Sequence, residues 1–232
     1  MVSNLPEAAK RYFRFTIAEG AALHSASKIE MVGEIGLGDR EVPKYRRMRA
    51  MQLLAPPHGL VWELRTGAIS GSDGMTPSTS WTRFWLFGWI PVVRVGRTSD
   101  HHRSAFGRVI AEAAFWAPAC LLPSAQVEWR DVGDNIAEAL VTAGGYQQTV
   151  RIHVDEAGQP KDIVIQRWSN ENAERVFREQ PFGGEVSNFK DFEGYRLPTH
   201  VEGGNHFGTN DYFPFYKADV TDIWFPDSGD AS

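Results

Sequence analysis

At 232 residues and 42% hydrophobic composition, the chain can bury a sizeable core, and one large all-β or α+β domain is the default expectation. A net charge of −5 with scattered basic residues excludes the electrostatic footprint of a nucleic-acid binder. The one cysteine, Cys120, excludes an internal disulfide and a thiolate metal cluster. Set among Ala, Leu and Pro, it reads as a small apolar residue rather than a nucleophile.

Met1 to Lys10 is polar and proline-punctuated, unlike an export leader. Pro6 then opens a run of helix formers in which Tyr12, Phe13 and Ile17 share one side, predicting a short N-terminal helix within 5–20. Ile29, Met31, Gly33 and Ile35 alternate with polar residues, the mark of a half-buried first strand. A second strand is expected over Tyr45–Leu54, with Met48, Met51 and Leu53 as its apolar residues. A third runs over Leu60–Ile69, closed by a turn at Gly71-Ser-Asp-Gly74. Trp81–Val95 holds a fourth and a fifth. The longest apolar-leaning stretch, Phe84 to Val95, carries Gly88 and Pro91 and is too short to span a bilayer, so a cytoplasmic protein without a membrane span is expected.

The middle of the chain changes language. Over Ser104–Ala117, Phe106, Val109, Ile110, Ala113 and Trp116 recur at helical spacing and make an apolar stripe for packing on a larger surface. After Pro123 the period returns to two, with strands at Gln126–Arg130, Ala137–Thr142, Thr149–Val154 and Asp162–Trp168. The last two flank an Asp/Gly-bearing loop and form the clearest hairpin. Asn170–Gly184 reads as a polar loop or short helical insertion. Strands resume at Phe189–Phe192, Arg196–Gly203 and Phe215–Phe225, before a frayed tail at 227–232. The sum is about ten strands and one central helix in a single domain, 1–232. Without strand–helix alternation a parallel sheet is excluded, and an antiparallel sheet this wide must curl, here around the helix.

The usual catalytic signatures are missing: no phosphate-binding glycine loop, no G-x-S-x-G turn and no H-E-x-x-H. His101 and His102 are adjacent, so they cannot share a helical face, and they read as a solvated pair before the helix rather than a metal site. No metal and no cofactor is implied. Glu112 is the sharpest candidate. It borders the apolar face one turn before Trp116, where desolvation would raise its pKa and fit it for general acid/base work. The preferred reading is instead that it pairs with Arg108 at i−4 or with Arg167, which interrupts the apolar side of a strand marked by Ile163 and Ile165. An inward arginine needs an acidic partner or an anionic ligand. Asp73 is an ordinary turn residue, or a second carboxylate facing Glu112. His206 and Tyr212, in the polar–aromatic loop Asn205–Tyr216, could reach over a cavity mouth. Trp62, Trp85 and Trp116 are core residues first and pocket walls second.

An ordered set of short motifs adds to this reading. Leu5-Pro6 with Arg11-Tyr12, Pro57-x-Gly59-x-x-Trp62, Gly71-Ser-Asp73, Arg108-x-x-x-Glu112-x-x-x-Trp116-x-Pro118, Val127-x-Trp129, the Asp155-x-x-Gly158 hairpin with Arg167, and Gly194-Tyr-Arg-Leu-Pro198 run from about Leu5 to Phe225. In this order they resemble an uncharacterised bacterial domain-of-unknown-function family, many of whose members are membrane-tethered. The resemblance implies a fold like the lipoprotein-carrier half-barrels, an antiparallel sheet wrapped around a helix, and no established activity.

The expected fold is therefore mainly β (α+β): a curved antiparallel half-barrel around one central helix, with a short N-terminal helix. The expected function is binding of a small, largely apolar or amphipathic molecule between sheet and helix. Trp62, Trp85 and Trp116 would be walls, and Arg108, Glu112, Arg167 and Tyr212 the polar minority. The alternatives are a cofactor-independent enzyme using Glu112 with Asp73 or His206, and a structural protein with no open pocket. The oligomeric state is open.

Overall fold

The computed structural model describes residues 1–226, so the tail expected at 227–232 lies outside the described residues. Helix α1 (Glu7–Thr16) leads into β1 (Ser27–Gly36), β2 (Tyr45–Ala55), β3 (Gly59–Thr66), β4 (Ile69–Thr76), β5 (Thr79–Leu86) and β6 (Ile90–Gly96). Helix α2 (Ser99–Trp116) and a 3₁₀ turn (Pro118–Leu121) follow. Then come β7 (Val127–Asp131), β8 (Ile136–Ala143), β9 (Tyr146–Val154), β10 (Pro160–Ser169), β11 (Arg178–Phe192), β12 (Tyr195–Asn205) and β13 (Phe213–Trp224).

All thirteen strands belong to one antiparallel sheet, in the order β6-β5-β4-β3-β2-β1-β13-β12-β11-β10-β9-β8-β7. Two meanders are sewn together where β1 pairs with β13, from Lys28 opposite Trp224 to Ile35 opposite Tyr216. The two free edges, β6 and β7, are joined in sequence by α2. Laid flat, thirteen strands at roughly 4.8 Å spacing would span roughly 60 Å. Yet α2, only about 10–12 Å across, touches β2, β4 and β5 on one side and β9, β10 and β12 on the other. The sheet must therefore curl around the helix, as a mainly β half-barrel.

Burial follows from that enclosure. Phe106, Val109, Ile110, Ala113 and Trp116 are all buried, and so are Ala105, Gly107, Ala111, Ala114 and Phe115 on the flanks. Small residues let strands approach closely. A Cβ on Gly107 would sit 2.9 Å from Gln148 Oε1 and 3.6 Å from Arg167 Cγ. Helix α1 closes one end: the Tyr12 hydroxyl donates to the Ala114 carbonyl at 2.8 Å, and Tyr12 and Phe13 pack on Trp129.

Several expectations need correction. Helix α2 begins at Ser99, not Ser104, because Thr98 caps it by accepting the His101 N–H at 3.2 Å, with Asp100 in the first turn. His101 and His102 are thus helical, not a solvated pre-helix pair. In β2 the buried side is Met48, Ala50, Gln52 and Leu54, whereas Leu53 is exposed, because a strand has one strict period of two. The turn after β3 falls at Gly67, where φ is +56°, and Gly71–Gly74 lies inside β4. The supposed loop over Asn170–Gly184 ends at Arg178. From there β11 runs for 15 residues, and four glycines face each other across β11 and β12, Gly183 opposite Gly204 and Gly184 opposite Gly203. Glycine usually signals a loop, but here it marks close approach within a sheet.

Candidate functional site

Between α2 and the concave face of the sheet lies a cavity of about 270 Å³, near the lower end of the roughly 300–1,000 Å³ common for small-molecule sites. Ile35, Phe84, Phe115, Phe182, Phe215 and Tyr216 give it a mainly apolar wall. Its floor is partly bare backbone, since Gly184 and Gly203 line it and carry no side chains. Gly203 follows Val201 at i+2 and so presents the same face, and Val201 also lines the cavity.

One polar cluster crosses the wall. Arg108, on α2, donates from Nε to Glu112 Oε1 at 2.6 Å, from one terminal nitrogen to Asp73 Oδ2 at 2.6 Å, and from the other to Gln52 Oε1 at 3.1 Å. Gln52 Nε2 returns a bond to Glu112 Oε2 at 2.5 Å, and the Thr82 hydroxyl donates to Asp73 Oδ1 at 2.6 Å. Side-chain exposure is only 13% for Arg108, 12% for Glu112 and 22% for Asp73. Every carboxylate oxygen and every guanidinium nitrogen in the cluster has a partner, the condition under which a buried charged network is tolerated. Burial alone would lower Arg108, but the charges of Glu112 and Asp73 outweigh it and hold the guanidinium above its usual value. Arg108 also lies over the Trp62 ring, 5.2 Å from its centroid. Burial, with the Glu112 charge, pushes the Tyr216 phenol up, and its hydroxyl donates to Met31 Sδ.

The cluster extends to the start of α2. Thr82 spends its single proton on Asp73, so His101 Nε2, 3.1 Å away, must be the donor to Thr82 Oγ1. His101 Nδ1 then accepts from the Ser80 hydroxyl at 2.8 Å. Burial lowers the His101 pKa, against the opposing attraction of Asp73 and with added repulsion from Arg167 and His102. His102 Nε2 lies 2.9 Å from the Thr76 carbonyl.

Arg167 stands apart. Its Nε donates to the Ser104 carbonyl at 3.2 Å and to the Ser104 hydroxyl at 3.1 Å, and its guanidinium lies 4.7 Å from the Phe182 ring centroid. Among the described residues its two terminal nitrogens have no hydrogen-bond partner and no carboxylate pairs with it, although it lines the cavity. Burial pulls its pKa down to about 10, with the attraction of Asp73 opposing and the repulsion of Arg108 adding to the fall.

Of the residues singled out from the sequence, the fold thus gathers Glu112, Asp73, Arg108, Arg167, Trp62 and Trp116 around one cavity. Trp116 is fully buried, and its Nε1 donates to the Pro198 carbonyl at 3.3 Å. Three others lie elsewhere. Trp85 lines an outer groove with Arg83, Trp89 and Arg94. Tyr212 packs on Phe207 and donates to the Glu202 carbonyl at 3.4 Å. His206 sits in the β12–β13 loop with Nε2 3.0 Å from the Glu171 carbonyl. Gln52, Thr82 and Gly203 were missed. Strict alternation in β2 would have exposed Gln52 as a polar residue on the buried side; Thr82 and Gly203 carry no such signal. Cys120 is half-buried, with its thiol pushed up to about 12 by burial, as befits an inert residue. Among the described residues, no group of three or more His, Cys, Asp or Glu is placed to hold a metal, and no helix is long and apolar enough to cross a membrane.

No curated protein matches the chain. Among solved structures it is similar to a LolA superfamily protein from Nitrosomonas europaea, at 11% identity and TM-score 0.50, covering 95% of this chain and 92% of that one. A domain described as an outer membrane lipoprotein-sorting protein, from Vibrio parahaemolyticus, aligns at 13% identity and TM-score 0.48, covering 98% and 94%. The first likeness is one of fold, an open antiparallel sheet curled around a helix. At the sequence level, the model of a family of unknown function, DUF6544, matches residues 1–218, and the chain belongs to that family.

Proposed function

We propose that this protein binds a small, largely apolar molecule in the cavity between α2 and the sheet. The observation that carries this reading is the bare glycine floor. A core designed only for stability would fill that space with side chains, since interiors pack at crystal-like density. Instead Gly203, where a Cβ would meet nothing nearer than 3.4 Å, lines a space of about 270 Å³ left open beneath aromatic walls. Acid/base catalysis gains less support, because both oxygens of Glu112 and of Asp73 are already engaged. The same cluster fixes α2 to β2 and β4, and so holds the cavity open while a ligand enters or leaves.

A cytoplasmic location and a single-domain chain belong to the proposal too; fractionation of cells making the untagged protein checks the first, and a single cooperative unfolding transition the second. The binding reading is tested with N-phenyl-1-naphthylamine, a neutral fluorophore that brightens in apolar sites. Saturable emission at one probe per chain is expected. A linear, non-saturating response would overturn the reading.

A further inference from the structure

We infer that the ligand carries one negative charge and that Arg167 is its counter-ion: the occupant is a small amphipathic monoanion of the carboxylate class. The inference rests on the binding reading above and follows from the hydrogen-bonding capacity that the charged groups of the cavity wall leave unused; the one neutral donor left over there, Trp62 Nε1, carries no charge. Arg108 has spent all three nitrogens on Glu112, Asp73 and Gln52, and both carboxylates have spent both oxygens. That cluster offers a ligand nothing without first being broken. Arg167 has spent only Nε, on Ser104, and its two terminal nitrogens keep their protons without any partner among the described residues.

Arg167 is half-buried in the cavity wall, so its terminal nitrogens are partly shielded from water with no anion supplied, which is costly for a cation. The usual remedy, an ion pair within the fold, is missing among the described residues, although Asp73 and Glu112 are near enough to be felt by Arg167. Both are bound to Arg108 instead. The fork of two terminal nitrogens matches the two oxygens of a carboxylate, which a lysine at this position would not do. Charge counting sets the valence. One free guanidinium balances one negative charge, whereas a dianionic head would leave its second charge beside Asp73 and Glu112. The rest of the molecule is set by the apolar wall, with Phe182 continuing directly from the guanidinium it faces.

Two probes of the same body separate the head from the tail. 8-Anilinonaphthalene-1-sulfonate is N-phenyl-1-naphthylamine with a sulfonate added, and sulfonate stands in here for carboxylate as a monoanionic oxygen head. Both are titrated into the wild-type chain and into Arg167→Met and Arg167→Lys, with melting temperature recorded for each. The expected result is that Arg167→Met weakens the sulfonate probe at least tenfold and leaves the neutral probe within twofold, with an unchanged or higher melting temperature. Arg167→Lys should fall between. On wild-type protein, decanoate should displace the sulfonate probe at least tenfold better than decanol.

If Arg167→Met changes both probes equally, or neither, the counter-ion role is wrong while the apolar site stands. If decanol matches decanoate on the wild-type chain, the anionic class is likewise wrong, whatever the variants do. If neither probe saturates on the wild type, the binding reading itself fails and the inference falls with it.

Discussion

Arg108 and Arg167 face the same cavity from α2 and β10, yet among the described residues one is fully paired and the other is not, and their variants should behave oppositely. Losing the partner of a buried charge costs roughly 3–5 kcal/mol when no other partner remains. Glu112→Ala leaves Arg108 with Asp73, so a smaller loss of about 2 kcal/mol is expected by urea denaturation. Arg167→Met removes an unpaired cation, and the empty protein should gain about 1 kcal/mol, or about 2–4 °C in melting temperature. A gain in stability with a loss of anion binding is the pattern of a site held at a cost.

His101 gives a pH signature at the same scale. Its folded pKa lies below the ordinary 6.5, so the unfolded chain binds more protons between the two values. Stability should therefore fall as pH drops below about 6.5, and level off beneath the folded pKa. The groups facing it are Ser80, Thr82, Asp73, Arg167 and His102. Melting curves between pH 5 and 7.5 should show a weaker slope for His101→Gln. A slope unchanged by that substitution would assign the dependence to other groups. The Arg108–Glu112 pair was legible in the sequence because an i, i+4 spacing brings two helical side chains together. Gln52 was not, because Met51 and Leu53 drew attention to the wrong phase of its strand.

Elements were legible where amphipathicity was clean. The β9–β10 hairpin is the plain case, its apolar residues on one face of each strand; the stripe of α2 marked the helix, although the curled sheet buries it on nearly every side. Strands β4 and β11 were hidden, since glycine and polar residues dominate Ile69–Thr76 and the first half of Arg178–Phe192. Gly184, in β11, and Gly203, opposite it in β12, both line the cavity, and the two should differ sharply on substitution. A Cβ on Gly184 would lie 2.1 Å from the Glu202 carbonyl oxygen, so Gly184→Ala must displace backbone. A loss of about 2 kcal/mol or more is expected for that strain, read by urea denaturation. At Gly203 the nearest atom, the Gly183 carbonyl oxygen, is 3.4 Å away, an ordinary contact. Gly203→Leu should fold, and fill the cavity instead of straining the sheet.

For the whole molecule, the order of elements carried the architecture. Strands, one long helix, then strands again, with no alternation, left an antiparallel sheet curled around that helix as the compact solution. The closing of two meanders through the β1–β13 pairing was not legible, because pairing between the first and last strands leaves no local mark on either. Nor was the cavity, since emptiness depends on which side chains are missing from a shared face. Gly203→Leu addresses that emptiness directly. N-phenyl-1-naphthylamine is titrated into the wild-type and Gly203→Leu proteins after their melting temperatures are shown to agree within a few degrees. Saturable one-to-one binding by the wild type, weakened at least tenfold in the variant, is the expected result. Equal binding by the two folded proteins would place the ligand elsewhere and contradict the cavity as the functional site.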